Sequence, residues 1–392
     1  MANTDVFTGY YDPQKSDLRD FEACLDQVTR PENVPLAMAI EKNIPVYDSG
    51  KLQSALEGEG RRTVMAEWAR VLRNGAGIVV LKGAYCDTSV LDDATEVYDR
   101  IIAQEKQNAG GGADHFAASG ANDRIWNSLQ KLCEAAPDVF LRYFANASIS
   151  AVCEAWLGPN YQMTAQVNLV HPGGAAQQAH RDYHLGFQTA DASATYPAHV
   201  HEVSPILTLQ GAVAHCEMPL ESGPTKLLPF SQTYKPGYAA WRRGDFREIF
   251  EARCVQLPLA KGDAVFFNPA LFHAAGANSS ADIHRFVNLL QVSSAFGRAM
   301  ETVDRDRMCR LVFPHAVRAS AEGSLTQAGL TAAIAATAEG YSFPTNLDRD
   351  PPSNGLAPET QAAFFMRAIE EGLSEDQFCA RLTEMKTVKL TS

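Results

Sequence analysis

Between Tyr161 and about Ser294 the sequence breaks into short runs rich in β-branched and aromatic residues, at 161–171, 205–216, 225–229, 254–259, 264–268 and 285–293. Each run is bounded by Gly, Pro, Asn or Asp, which reads as strands separated by turns. A succession of short strands of this kind predicts a sandwich or jelly roll. Helical spacing flanks it on both sides. Val64, Met65, Trp68, Val71 and Leu72 predict a helix from Arg62, with Asn74-Gly75 as a left-handed stop, and Gly77–Gly83 then reads as a buried strand. A second helix is expected from Asp87 to Gln107, and a third through Ile149, Val152, Cys153, Trp156 and Leu157, closed by Gly158-Pro159.

The rest of the chain decorates this core. Residues 1–60, interrupted by Pro31, Pro35 and Pro45, form an N-terminal wrapping segment, and 61–298 form the catalytic domain. Residues 299–392, with helical spacing at Leu325–Glu339 and Glu359–Leu373, form a helical extension that packs on the core or makes an oligomer contact. The polar, glycine-rich stretch 108–123, with His115, has the length of an active-site loop.

Charge and cysteine usage narrow the class. A net charge of -12 argues against a nucleic-acid or anionic-membrane partner, because such surfaces repel an acidic protein without a basic patch, and only short pairs such as Arg61-Arg62 and Arg242-Arg243 occur. The eight cysteines are scattered without a Cys-x-x-Cys pair, and the polar N-terminus precedes no long apolar run. A cytoplasmic enzyme acting on a small molecule, able to self-associate, is the simplest expectation.

The chemistry concentrates in Gln177-Gln-Ala-His180-Arg-Asp182-Tyr-His184. On a strand, residues i and i+2 point to one side, so His180 and Asp182 can converge on one ion. His273, delivered by the strand after Lys261-Gly-Asp263, is the candidate third ligand, since a jelly roll brings distant strands together across its mouth. Two imidazoles and a carboxylate make the facial set that leaves positions open on iron(II) for a cosubstrate and oxygen. Arg285 would then grip a carboxylate through paired, charge-assisted hydrogen bonds. His184 could replace His273 only if one extended strand wrapped the ion, so it is assigned to the cavity instead. Tyr183, Arg181, Arg124 and Trp126 are candidates for shaping the pocket. The spacing of His199, His201 and His215 gives them no catalytic role, and His284 is expected to face away from Arg285.

Together with Gly77–Gly83, Leu157–Tyr161, Gly223-Pro-Thr-Lys-Leu-Leu-Pro-Phe-Ser231 and His273-Ala-Ala-Gly-Ala-Asn-Ser-Ser280, these residues make the chain resemble the phytanoyl-CoA dioxygenase family of iron and 2-oxoglutarate oxygenases over about residues 65–292. The resemblance implies an α+β fold with a double-stranded β-helix core. It implies Fe(II) on His180, Asp182 and His273, 2-oxoglutarate anchored by Arg285 with Asn168, Thr208 and Ser280 as further cofactor contacts, O2 as cosubstrate, and ascorbate as a supporting reductant. The implied reaction splits 2-oxoglutarate into succinate and CO2 and hydroxylates an unactivated C–H. The carboxylate of Asp182 favours that outcome, because related halogenases carry a small residue there. Two other classes stay open: a cupin-like metalloenzyme that is not an oxygenase, and a non-catalytic metal- or ligand-binding jelly roll.

Overall fold

The apolar runs lack polar alternation, so as strands they must be covered on both faces. In the computed structural model, which describes residues 9–109, 121–182, 189–352 and 357–390, they are. The strands are β1 (Ala39–Glu41), β2 (Ile44–Asp48), β3 (Ile78–Lys82), β4 (Asn122–Ile125), β5 (Gln162–Val170), β6 (Thr208–Ala214), β7 (Lys226–Leu227), β8 (Ala264–Phe267), β9 (His273–Ala274) and β10 (Arg285–Ser293). Eight join in one sheet, in the order β1-β2-β3-β8-β6-β10-β5-β4, while β7 and β9 pair in a small second sheet. Every pairing is antiparallel except that of β2 with β3.

The two-residue period of a strand sorts side chains between the faces. Ile78, Val80, Ala212, Val265, Phe267 and Val287 point inward and meet Leu227 of the smaller sheet together with Met218 and Leu271 from the chain around it. Their alternates Val79, Leu81, Val213, Phe266, Leu290 and Val292 point outward. There they pack under the helices Arg61–Asn74, Ala147–Leu157, Arg305–Glu322 and Gln327–Thr337, through Trp68, Val152, Phe313 and Ile334. The result is an α+β double-stranded β-helix, with the smaller sheet folded over the inner face of the larger. No helix among the described residues is long and apolar enough to cross a membrane.

Several local expectations differ from the structure. Residues 254–259 make no strand, only isolated bridges at Val255 and Leu259, and the intervening Pro258 has no N–H to donate. The N-terminal segment adds β1 and β2 to the large sheet. Lys42 (φ 49°) and Asn43 (φ 70°) turn that hairpin with two left-handed residues and no glycine, so the usual sequence signal is missing. Gly75 ends its helix at φ -92°, and the left-handed residue is Gly77. Helices Arg305–Glu322 and Glu375–Lys389 lie beyond those expected in the C-terminal part. Most of the 108–123 stretch lies outside the described residues.

One turn aims β8, and hence the chain that leads to His273. The carboxylate of Asp263 accepts from Gly83 N at 2.9 Å, Ala260 N at 2.8 Å and Lys82 Nζ at 2.8 Å. Gly262 precedes it at φ +93°, where a Cβ would stand 2.7 Å from Tyr85 O. Gly262→Ala should therefore destabilise the fold by about 1–3 kcal/mol in urea unfolding. Gly244 opens the helix Gly244–Arg253 with free space where a Cβ would go, and Gly244→Ala should stabilise by about 0.4–1 kcal/mol.

His215, just past β6, is buried outside the cavity. Thr95 Oγ1 donates to Leu91 O at 2.7 Å, so at 2.8 Å it accepts the Nδ1–H of His215. The Tyr143 hydroxyl then donates to Nε2 at 2.8 Å while accepting from Asn288 Nδ2 at 3.0 Å. This network needs a neutral ring. Burial first, then the charge of Lys261, lower its pKa to about 3 against the pull of Asp92. Because the folded value is depressed, the unfolded chain takes the proton first, and stability present above pH 6.5 is lost as pH falls toward about 3. Between pH 7.5 and 5.5 this group should remove about 1.4 kcal/mol. That loss should be absent from His215→Asn when the two proteins are compared by urea unfolding at both pH values.

Candidate metal centre

His180 and His273 meet through a backbone exchange. His180 N donates to His273 O at 3.0 Å and His273 N to His180 O at 3.1 Å, which sets the imidazole centroids 4.5 Å apart. Asp182, two residues on, lies on the same side. One ligand atom from each of the three side chains lies within 4.8 Å of the others. Each ring places Nδ1 on the carbonyl two residues earlier, His180 on Gln178 O at 2.7 Å and His273 on Leu271 O at 2.9 Å. A carbonyl only accepts, so Nδ1 carries the proton and Nε2 keeps its lone pair.

Those lone pairs face the carboxylate: His180 Nε2 is 3.7 Å from Asp182 Oδ1 and His273 Nε2 is 3.8 Å from Oδ2. Burial pushes the Asp182 carboxyl up, but the two imidazoles, when protonated, and the Gln210 amide outweigh it and hold the pKa at about 2, so the carboxylate is ionised at neutral pH. His180 is lowered by burial and by His273, against Asp182. Among the described residues Oδ1 of Asp182 is buried without a hydrogen-bond partner. Three acceptors with no proton among them repel one another, and a cation relieves that repulsion. The residues therefore fit a divalent first-row metal, with two nitrogens and one oxygen on one face.

The three side chains line a cavity of about 480 Å³ whose opposite wall is the inner face of the large sheet, with Arg285, Val287, Leu289, Gln291 and Ser293 projecting from β10. Arg285 is buried and, among the described residues, has no carboxylate partner. Its Nη1 donates to Ser222 O at 2.9 Å, to Gly276 O at 3.1 Å and to Gly223 O. Two turns cross closely to present these carbonyls. A Cβ on Gly223, which sits at φ +74°, would be 2.2 Å from Ala277 O, and one on Gly276 would be 2.8 Å from Gly223 O. Burial lowers the Arg285 pKa to about 10, so the group stays cationic at neutral pH and fits a carboxylate brought by a ligand.

Asn168 and Thr208 also line the cavity. Among the described residues Asn168 Oδ1 is buried without a partner, and the Thr208 hydroxyl donates to Ser204 O at 3.3 Å. Ser280 is not among the lining residues; its hydroxyl donates to Asn278 Oδ1 at 2.6 Å. Asn278 Nδ2 in turn holds Val170 O at 3.1 Å and Ile283 O at 2.7 Å, so Ser280 helps build the loop that enters β10.

Arg124 and Trp126 line the mouth, with the guanidinium 5.0 Å from the ring centroid. Arg181 does not shape the pocket. It points to the opposite side of the His-x-Asp segment, donates to Ser231 O and Tyr234 O, and lies over Tyr238 and Phe272. His201 is buried against Tyr238, and His284 pairs with His171 at 2.8 Å. Tyr183, His184 and His115 lie outside the described residues. Gln177 and Gln210 line the cavity without having been singled out. The period of two from Thr208 to Gln210 was the one available signal for Gln210.

A sequence model of the phytanoyl-CoA dioxygenase (PhyH) family matches residues 74–286, more than half of the chain. "Dioxygenase trt7" of Aspergillus terreus is 22% identical over 237 residues, covering 60% of this chain and 76% of that protein. "Dioxygenase andF" of Emericella variicolor is 27% identical over 142 residues, covering 34% of this chain and 43% of that protein. Among solved structures, the non-heme alpha ketoglutarate dependent epimerase SnoN from nogalamycin biosynthesis aligns with a TM-score of 0.40 at 19% identity, covering 61% of this chain and 86% of that one. With the family's sequence pattern spanning His180, Asp182 and His273, the chain belongs to the phytanoyl-CoA dioxygenase family, whose dioxygenases use Fe(II), 2-oxoglutarate and O2.

Proposed function

We propose that the protein hydroxylates an unactivated C–H of a small molecule, with His180, Asp182 and His273 as the iron ligands and Arg285 as the anchor for the far carboxylate of 2-oxoglutarate. The observation that carries this reading is the pairing, in one cavity, of a proton-free His-Asp-His set with a buried guanidinium that lacks a carboxylate. When bound, iron(II) supplies the redox chemistry by which O2 and 2-oxoglutarate become succinate and CO2 while one oxygen atom enters the substrate C–H bond. The protein's part is to hold, orient and exclude water. The two Nδ1–H···O=C bonds fix the imidazole planes, and Asn168, in register with Val287 two residues along β10 from Arg285, adds a polar group on that side, whereas Thr208 pairs with Ser293 at the far end of the strand. Leu257, Leu259, Val265 and Phe267 give the cavity an apolar wall against which a substrate carbon skeleton can lie. All eight cysteines are free, which supports a reducing compartment such as the cytoplasm.

The test is succinate formation by protein purified without oxygen and then given iron(II), ascorbate, 2-oxoglutarate and air. Wild type should release succinate slowly even without its substrate, and His180→Ala, Asp182→Ala and His273→Ala should release none. Arg285→Gln should keep metal binding but raise the KM for 2-oxoglutarate by roughly 10- to 100-fold, the worth of a charged hydrogen bond. A wild type that binds metal and yields no succinate would shift the reading to a metalloenzyme of another kind.

A further inference from the structure

Asp182 makes one side-chain contact that its role as a ligand does not explain. Gln210 projects from β6 into the cavity and is 5% exposed, and its Nε2 donates to Asp182 Oδ2. A carboxylate only accepts, so the amide must turn its nitrogen toward Asp182 and its oxygen away. Among the described residues that oxygen is buried with no partner, and so is Oδ1 of Asp182. An amide oxygen left unpaired inside a protein weakens the fold, so Gln210 is not placed here for stability alone. Such orphaned groups gather where a site has a task.

We infer that Gln210 is a positioning residue that occupies Oδ2 of Asp182 and thereby makes the carboxylate a one-oxygen metal ligand through Oδ1. This rests on the metal assignment proposed above and adds to it a rule for how the carboxylate binds. With both oxygens free, the carboxylate could chelate the ion and close a position that the cosubstrate or oxygen needs. Gln210 reaches Asp182 from the large sheet, whereas His273 lies on β9 of the smaller one and His180 bridges to it, so the same contact ties the side of the cavity that carries the imidazoles to its opposite wall. Gln291 provides an internal control. It is the register partner of Gln210 on β10 and lines the same cavity, and no hydrogen bond joins it to Asp182 among the described residues.

The experiment titrates Co(II) alone into the metal-free full-length protein, followed by calorimetry and by visible absorption. Gln210→Met should bind Co(II) roughly 10- to 100-fold more weakly than wild type, the usual effect of removing a partner of a metal ligand, and its absorption should change as the carboxylate alters its binding. Gln210→Asn, which keeps an amide but falls a methylene short, should behave likewise, and Gln291→Met should match wild type. In an Asp182→Ala background, adding Gln210→Met should leave the residual affinity of the two imidazoles unchanged. Wild-type affinity and spectrum in both Gln210 variants would overturn the role, as would an undiminished loss in the Asp182→Ala background or an equal loss in Gln291→Met. Failure of wild type itself to bind Co(II) would instead overturn the metal assignment, and this role with it.

Discussion

The imidazoles of His180 and His273 each give Nδ1–H to a carbonyl two residues earlier, and the two backbones also exchange hydrogen bonds with each other. Much of the site follows from that arrangement. It fixes the ring tautomers, brings two distant segments within bonding range, and turns both Nε2 lone pairs toward Asp182. The large sheet serves it by presenting a rigid wall opposite. The small sheet serves it by being too short to do more than bring its ligands together, with β9 only two residues long. A strand pair of that size is not stable by itself, and the apolar filling between the sheets keeps it in place.

Two buried guanidiniums frame the centre, and they solve the problem of burial differently. Arg181 lies between two ligands in sequence but behind them in space, satisfied by carbonyls and by the rings of Tyr238 and Phe272. A Cβ on Gly237 would stand 2.0 Å from its Cζ, so the surrounding turn closes tightly over it, and Tyr238 Oη donates to Asp182 O at 3.0 Å from the same turn. Arg285 collects its three carbonyls on Nη1 alone. Among the described residues the other edge of that guanidinium has no hydrogen-bond partner. The first cation is complete within the fold; the second leaves an edge that fits a carboxylate.

What could be read from the sequence was whatever a single segment encodes. The i, i+2 spacing of His180 and Asp182 needed only the strand period, and the long apolar runs needed only the requirement that both faces be covered. Gly262-Asp263 could be read as a turn because its glycine and carboxylate are adjacent. The hairpin of β1 and β2 was hidden because Lys42 and Asn43 take left-handed conformations without the glycine that normally announces them. Gln210 and the bridge between His180 and His273 were hidden for another reason. They exist only as contacts between segments far apart in the chain; the strand period puts Gln210 on the face of Thr208 but does not mark its contact with Asp182. Ser280 sits in a motif that carries the family likeness, yet its hydroxyl works inside the turn, on Asn278, because the chain must bend there to enter β10.

β10 sets Arg285, Val287, Leu289, Gln291 and Ser293 toward the cavity and Phe286, Leu290 and Val292 toward the helices. A one-residue slip exchanges the two sets along the whole strand. Substitutions can accumulate at Leu289, Gln291 and Ser293 without disturbing the charge at the other end, whereas an insertion or deletion anywhere in the strand removes them all at once. Divergence in what such a cavity accepts is therefore expected through exchange of residues along a strand of fixed length, with the buried guanidinium inherited intact while the far end is rewritten.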